Sequence, residues 1–538
     1  MSDPLEELLD LEMAWKRFKL DHPHRVFVEH PFENSLIELD LDEWLQQLRE
    51  DVASGHYRPG PIAVCDVPKS KGAVRPGAFI TAADAVVYAA CVGACFSHIH
   101  YALQWSQNSV DFSYLLPESP SDIRWIRSEF RGWSNFQQQT LDHISNGATH
   151  VVFADITGYY ENIDLAVLMS DVRQTGAPAA AIQQLSTCLN KWAEVPSRGI
   201  PQGYAPSDIL GKLYLNSIDE HLVQLGCRHI RYVDDFRVFC GSEVEAKKAQ
   251  LDLTRLLRKR GLCLQTAKTE ILLSAEARQR VEMVRSTLLE IREKYFAQIE
   301  AAIEMGDPYL LEQFSMEILN DDLSDDTNAP MEAIREAYST YLLPQPFVAS
   351  DESAHKNRFD KTLFHFLINR LGKAKDPFAV EHCISLLAEH PEETRAVCEY
   401  LHRVEQLAAT DDDVVAFLNS EAAIYHYQVY ELLHWRLKDS TPPNPALLRY
   451  ARRIVFDGNV PAYLRATARK FLGDFGSNID LERLEYSYAE KHGAIEQVEI
   501  ICSLQRMEKQ RRNSFVGRCE LDSMLHKRAA AFVKQSNK

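Results

Sequence analysis

The stretch that most constrains this chain is Arg231-Tyr232-Val233-Asp234-Asp235-Phe236-Arg237-Val238-Phe239. Two adjacent acids interrupt apolar and aromatic residues that read as strand. Successive side chains of a strand point to opposite faces, so neighbouring carboxylates reach one point only if a tight turn falls at them. Acids in such an apolar setting are costly unless something positive binds them. Mg²⁺ takes hard oxygen ligands and keeps positions open for phosphates, so a divalent cation is the expected partner. An ordinary polar turn between two strands is the plainer alternative.

A second acid at a strand end favours the cation. Val151-Val152-Phe153-Ala154-Asp155 is an apolar run ending in one carboxylate, followed by Ile156-Thr157-Gly158-Tyr159-Tyr160. In phosphoryl transfer, two cations about 4 Å apart, held by shared carboxylates, activate the attacking oxygen and stabilise the leaving one. Between the acidic strands lies Gly199-Ile200-Pro201-Gln202-Gly203-Tyr204-Ala205-Pro206-Ser207, a Gly/Pro loop leading into a helical pattern. Glycine lets backbone approach a ligand closely, which suits a loop passing beneath a nucleotide and a template base.

Taken in order, Asp155 with Tyr159 and Tyr160, Pro201-Gln202-Gly203 and Tyr232-Val233-Asp234-Asp235 resemble the palm motifs of reverse transcriptases. Val67-Pro68-Lys69, Arg75-Pro76, Asp84 and Tyr88 resemble the fingers signature, and Gly261–Thr269, with Lys268, the late palm motif. The resemblance covers roughly residues 50–275. It implies an α+β fold with right-hand polymerase fingers and palm, and Asp155, Asp234 and Asp235 as the catalytic acids. It also implies two Mg²⁺ ions, replaceable by Mn²⁺, held by those acids and the backbone carbonyl of Ile156. Lys69 and Arg75 are the implied contacts to an incoming deoxynucleoside triphosphate, with Lys71 a competing candidate. Tyr160, five residues past the first acid, stands at the steric gate, where a ring under the sugar excludes a 2′-hydroxyl. Gln202, Gly203 and Lys268 complete the nucleotide-binding set. One departure is Tyr204, where the family often has a small residue, which questions the room left for a templating strand.

Beyond Lys268 the chain continues as helix for half its length. The expected division is a helical extension (1–50), fingers and palm (51–275), a helical connector (276–345) and an α-helical repeat domain (346–538). In the connector, 278–304 reads as helix, while 321–326 and 343–346 read as loops. From Lys361 onward amphipathic segments recur with short connectors, as stacked helical hairpins require, and Tyr463–Gly476 resembles one helix of a HEAT-type repeat. An all-α HEAT-like domain replacing the thumb resembles the bacterial abortive-infection and defence-associated reverse transcriptases. That resemblance implies template-independent synthesis, priming from a tyrosine with the DNA product attached to the protein, homo-oligomers, and a role against bacteriophage. Two alternatives stand beside it. One is a conventional RNA-templated enzyme working with a non-coding RNA; the other is a catalytically silent scaffold binding a phage or host protein.

A formal net charge of −18 is unusual for a protein that grips nucleic acid, because phosphate neutralisation dominates such affinity. The most basic helical stretch, Arg465, Arg469 and Lys470 with Arg506, Lys509, Arg511 and Arg512, is the candidate channel for product DNA, or else a solvated helix face. Eleven cysteines lack framework spacing. Cys91 and Cys95, near His98 and His100, read as a core helix rather than a zinc site. The longest apolar run, Ala85–Phe96, is too short to span a bilayer. The expectation is a cytoplasmic, reduced protein without a membrane partner.

Overall fold

The computed structural model describes residues 4–127, 132–282, 331–343, 359–489 and 493–535. Strands β1 (Ala63–Pro68) and β2 (Val74–Phe79) pair with each other. A second, four-stranded sheet contains β3 (His150–Asp155), β4 (Arg228–Tyr232), β5 (Asp235–Cys240) and β6 (Glu270–Leu273), in the order β4-β5-β3-β6. All its neighbours are antiparallel. Both faces of this sheet are covered, which is why β3 reads as an unbroken apolar run. Val151, Phe153 and Phe239 pack with Phe136, Leu141 and Ile144 on one face. Val152, Val238 and Cys240 pack with Ala246 and Ala249 on the other.

Two compact units divide the chain: residues 1–67, 74–281 and 492–538 form the first, and 68–73 with 282–491 the second. Helices α1 (Leu5–Leu8), α2 (Leu11–Arg25), α3 (Glu33–Glu38), α4 (Leu41–Ala53), α5 (Ala82–Leu103) and α6 (Gly132–Ser145) belong to the first. So do α7 (Tyr159–Asn162), α8 (Leu165–Gln174), α9 (Ala179–Trp192), α10 (Ala205–Gln224) and α11 (Glu243–Lys259). At 22 residues, α5 outruns the expected Ala85–Phe96 segment and is long and apolar enough to cross a membrane by length and composition. It is nonetheless a core helix, packed against α2, α9 and α10, with Cys91 and Cys95 fully buried. The helical extension is no separate layer, because Leu11, Ala14 and Trp15 of α2 are buried in the same core.

In the second unit, α12 (Met331–Tyr341) packs on α13 (Lys361–Lys373). Next come α14 (Val380–Glu389), α15 (Thr394–Arg403), α16 (Asp411–Leu418), α17 (His426–Arg436), α18 (Pro445–Val455), α19 (Ala462–Phe475) and α20 (Asn478–Ser487). Helices α13, α15, α17 and α19 pack in succession as one layer, and α14, α16 and α18 as a second. Helices α14 and α15 also pack as a pair, as do α18 and α19, so the two layers are joined between neighbours in the chain. The loops expected at 321–326 and 344–346 lie outside the described residues, as does the 278–304 helix beyond residue 282.

The expected boundary at the C-terminus is corrected. Helices α21 (Ala494–Ser503), α22 (Lys509–Val516) and α23 (Met524–Gln535) belong to the first unit, not to the second. Helix α23 packs on α3, and Arg528 donates to the Ile37 carbonyl at 3.0 Å while His30 meets Glu499 at 3.1 Å. A helix docked so far from its sequence neighbours leaves no periodic trace that separates it from the helices before it.

Candidate active site

The expected turn falls at the acids. Tyr232 and Asp235 are the last paired residues of the β4–β5 hairpin, which leaves Val233 and Asp234 as its two central residues. Of these only Val233 has positive φ, 55°, the pattern of a type II′ turn, whose twist matches that of the flanking strands. A β-branched residue in that region is strained by about 1–3 kcal/mol and persists only where its surroundings hold it.

Arg231 supplies that hold. Its Nη1 donates to the Val233 carbonyl at 2.9 Å, while its Nη2 reaches Asp111 and Asp219, both at 2.7 Å. Lys212 donates to the same Asp111 carboxylate at 2.6 Å, and His229 meets Asp219 at 3.2 Å. All five side chains are at most 1% exposed. Burial alone would weaken the Arg231 charge, but Asp111 and Asp219 overcome it and hold the guanidinium well above its ordinary range. Burial lowers the Lys212 pKa. Sequence reading missed this network: Asp111, Lys212 and Asp219 lie on segments remote from the turn, and only the charged Arg231 between Ile230 and Tyr232 hints at it.

The strand register carries the remaining acids. Asp155 is the direct partner of Asp235 across β3 and β5, so both side chains rise from one face of the sheet at the end bearing Asp234. Asp235 is pushed up to about 6, first by burial, with Asp155 and Asp234 adding repulsion against the opposing pull of Arg237. Lys268 Nζ reaches Asp155 at 2.8 Å, from a position 63% exposed. The late motif docks beside β3: Gln265 N–H donates to the Asp155 carbonyl at 2.7 Å and Thr157 N–H to the Cys263 carbonyl at 2.9 Å. Because carbonyls alternate along extended chain, the Ile156 carbonyl points away from this segment, toward the β5 edge where the acids lie.

These donors fit a hard divalent cation: carboxylate oxygens under mutual repulsion and a backbone carbonyl. Among the described residues, however, no three His, Cys, Asp or Glu side chains are already gathered into a metal cage. The expected convergence of all three carboxylates is corrected to a narrower one, Asp155 with Asp235 in register and Asp234 on the adjoining turn. Polymerase-type Mg²⁺ sites suit such a set, since one or two carboxylates are completed by substrate phosphates and water.

On the nucleotide side, Tyr160 is 8% exposed and its hydroxyl donates to Asp208 at 2.7 Å. Asp208 in turn accepts from Arg25, and burial raises its pKa. The loop of Gln202 and Gly203 is braced from both ends. Ala78 N–H donates to the Gln202 carbonyl at 3.0 Å, and Ser207 donates to the Pro201 carbonyl at 2.5 Å while bonded to Tyr88 at 2.8 Å. Gly203 sits at φ 107°, open to few residues other than glycine. Tyr204 is turned inward, 7% exposed, its hydroxyl accepting from Ile80 N–H at 3.1 Å, so its bulk does not crowd the loop's outer side. Arg75 is half-buried in the first unit, whereas Lys69 and Lys71 lie in the 68–73 loop that groups with the second.

Two members of the basic stretch are buried. Arg469 is 2% and Arg512 0% exposed; Arg512 donates to the Gln505 carbonyl at 2.5 Å, and Lys470 pairs with Asp474 at 3.0 Å. Arg465 donates to the Val460 carbonyl at 2.6 Å, and Arg511 lies with Arg512 in the first unit, apart from Arg465–Lys470 in the second. The Arg512 and Arg465 guanidinium groups thus serve carbonyls of the connecting turns.

Residues 68–298 match the family described as reverse transcriptase (RNA-dependent DNA polymerase). This region is similar to a reverse transcriptase domain. The match indicates the chemistry of a nucleotidyltransferase. Protein YkfC of Escherichia coli (strain K12) is 26% identical over 205 residues, 37% of this chain and 49% of that protein. The chain thus matches about half the length of this curated relative. Apo telomerase from Candida tropicalis overlaps at a TM-score of 0.30 and 9% identity, covering 72% of this chain and 74% of that one. Telomerase from Candida albicans in complex with a telomeric RNA fragment overlaps at 0.32 and 10% identity, covering 74% and 68%. Overlaps this loose carry no argument, and the reverse transcriptase assignment rests on the sequence match and the sheet register.

Proposed function

We propose that this protein is a Mg²⁺-dependent DNA polymerase whose reverse transcriptase domain adds deoxynucleotides by in-line attack of a hydroxyl on the α-phosphate, with pyrophosphate leaving. The observation that carries this reading is the register of Asp155 against Asp235 beside the strained turn bearing Asp234. Asp155, Asp234 and the Ile156 carbonyl would hold the cations, with Asp235 assisting. The chemistry a bound cation pair supplies is neutralisation of charge on the attacking and leaving oxygens. The chain's own side chains position the substrate: Arg75 and Lys268 meet the triphosphate, and the pinned Tyr160 ring lies under the sugar.

We further propose that synthesis is template-independent and primed from a tyrosine of the chain, in a cytoplasmic defence against bacteriophage, with a HEAT-like repeat unit in place of the thumb. The net charge of −18 supports this, because a chain so acidic is poorly suited to gripping long duplex. A second reading, RNA-templated synthesis with a non-coding RNA partner, draws support from the inward-turned Tyr204, whose own ring does not crowd its loop. Incubation with Mg²⁺ and each labelled deoxynucleotide, without template, separates the two. Protein-linked label favours the first, and a defined cDNA among copurifying nucleic acid favours the second. An Asp234→Ala, Asp235→Ala double variant that still incorporates label would end both, and one that still protects cells would point to a scaffold.

A further inference from the structure

The helical extension carries a segment that the proposed reaction has not yet used. The Phe27 ring is half-buried and seated against two glycines. A Cβ on Gly77 would lie 2.6 Å from its Cδ2, and one on Gly203 would lie 3.1 Å from the same atom. Gly77 does not adopt the left-handed conformation, so it is the ring, not the backbone, that excludes a side chain there. The Arg75 guanidinium lies over this ring at 6.0 Å, and Arg75 Nε is buried with no hydrogen-bond partner. Two residues earlier, Arg25 pairs with Asp208, the carboxylate that fixes the Tyr160 hydroxyl. Arg25 also lies over the Tyr114 ring at 5.7 Å, and Tyr114 is hydrogen-bonded to both Tyr160 and Asp208. Three positions expected to meet the nucleotide, Arg75, Gly203 and Tyr160, are thus each fixed by one short stretch.

We infer that Arg25–Phe27 forms the outer wall of the deoxynucleotide pocket, with Phe27 a positioning residue for Arg75 and Arg25, through Asp208, a positioning residue for Tyr160. This rests on the reading of the domain as a deoxynucleotide-adding site. Phe27 holds the Arg75 guanidinium, whose Nε is buried, beside the Gly203 loop. Arg25, paired with Asp208, holds the carboxylate that fixes the Tyr160 ring in one place, so selectivity against ribonucleotides depends on a residue outside the palm.

The test uses the full-length protein, equilibrium binding of dATP and ATP in Mg²⁺, and steady-state incorporation. Phe27→Leu keeps the apolar volume but removes the π face, so dATP binding and KM weaken by about 3- to 30-fold, with kcat and melting temperature near the parent's. Phe27→Tyr restores parental values. Arg25→Met narrows the dATP-over-ATP preference. Parental binding by Phe27→Leu would overturn the inference. So would faster synthesis by that variant on added primer–template, which would make the ring an obstruction rather than a wall. A parent that binds dATP but never incorporates it would sink the polymerase reading while leaving the Phe27 binding comparison decisive; a parent that binds no dATP would sink both.

Discussion

Replacing Arg231 tests whether a buried ionic network sets the geometry of the catalytic turn. In Arg231→Met, Asp219 keeps only His229 at 3.2 Å, Asp111 keeps Lys212 at 2.6 Å, and the Val233 carbonyl loses its donor. Breaking a buried pair from one side costs about 3–5 kcal/mol, a large part of the roughly 5–15 kcal/mol that holds a typical domain. Because such a variant can fail globally, Arg231→Lys is the sharper probe. Lysine keeps the charge but cannot span Asp111, Asp219 and the Val233 carbonyl at once, so the expected loss is about 1–3 kcal/mol. Urea denaturation measures that loss. Single-turnover incorporation should fall at least about tenfold in the same variant, with nucleotide KM unchanged, since the turn carries Asp234 and no expected nucleotide contact. An Arg231→Met protein within about 1 kcal/mol of the parent and fully active would refute the reasoning, and Val233 would then hold its strained conformation by other means.

Other outcomes follow from the same geometry. Asp155→Asn should abolish incorporation yet leave the melting temperature unchanged or higher, because it removes a like charge facing Asp235; calorimetry beside an activity assay checks both. Lys268→Ala should cost less than about 1 kcal/mol, since the ion pair is exposed, while still raising nucleotide KM. In the second unit, Asp480 is held down to about 2, chiefly by the Arg452 guanidinium. Its depressed folded pKa means the stabilisation is complete above about pH 4 and is lost as pH falls through about 2. The stability gap between Asp480→Asn and the parent should therefore close over that acid window in denaturation curves.

Much of the site was legible because its signals are local. An apolar run ending in Asp155, a two-acid turn after Tyr232 and a Gly/Pro loop at Gly199–Ser207 each announce themselves by period and turn chemistry, and each forms where expected. What escaped notice depends on contacts between distant segments. Asp111 meets Arg231 across 120 positions and Arg25 meets Asp208 across 183, and neither pairing alters local periodicity. Tyr204 read as an intrusion because its direction is set by a bond to Ile80, invisible from residue type. Arg469 and Arg512 read as surface cations for the opposite reason: a charge on an amphipathic helix is ordinarily solvated, and here both are buried, Arg512 against the Gln505 carbonyl. The docking of α23 on α3 likewise has no local mark.

The most direct measurement is the anomalous scattering of Mn²⁺ in crystals of the protein grown with a non-hydrolysable deoxynucleoside triphosphate. Two peaks about 4 Å apart, bounded by Asp155, Asp234 and the Ile156 carbonyl, with the triphosphate reaching Arg75, are the expected result. A bound triphosphate with no metal at those acids, or metal seated elsewhere on the chain, would contradict the account.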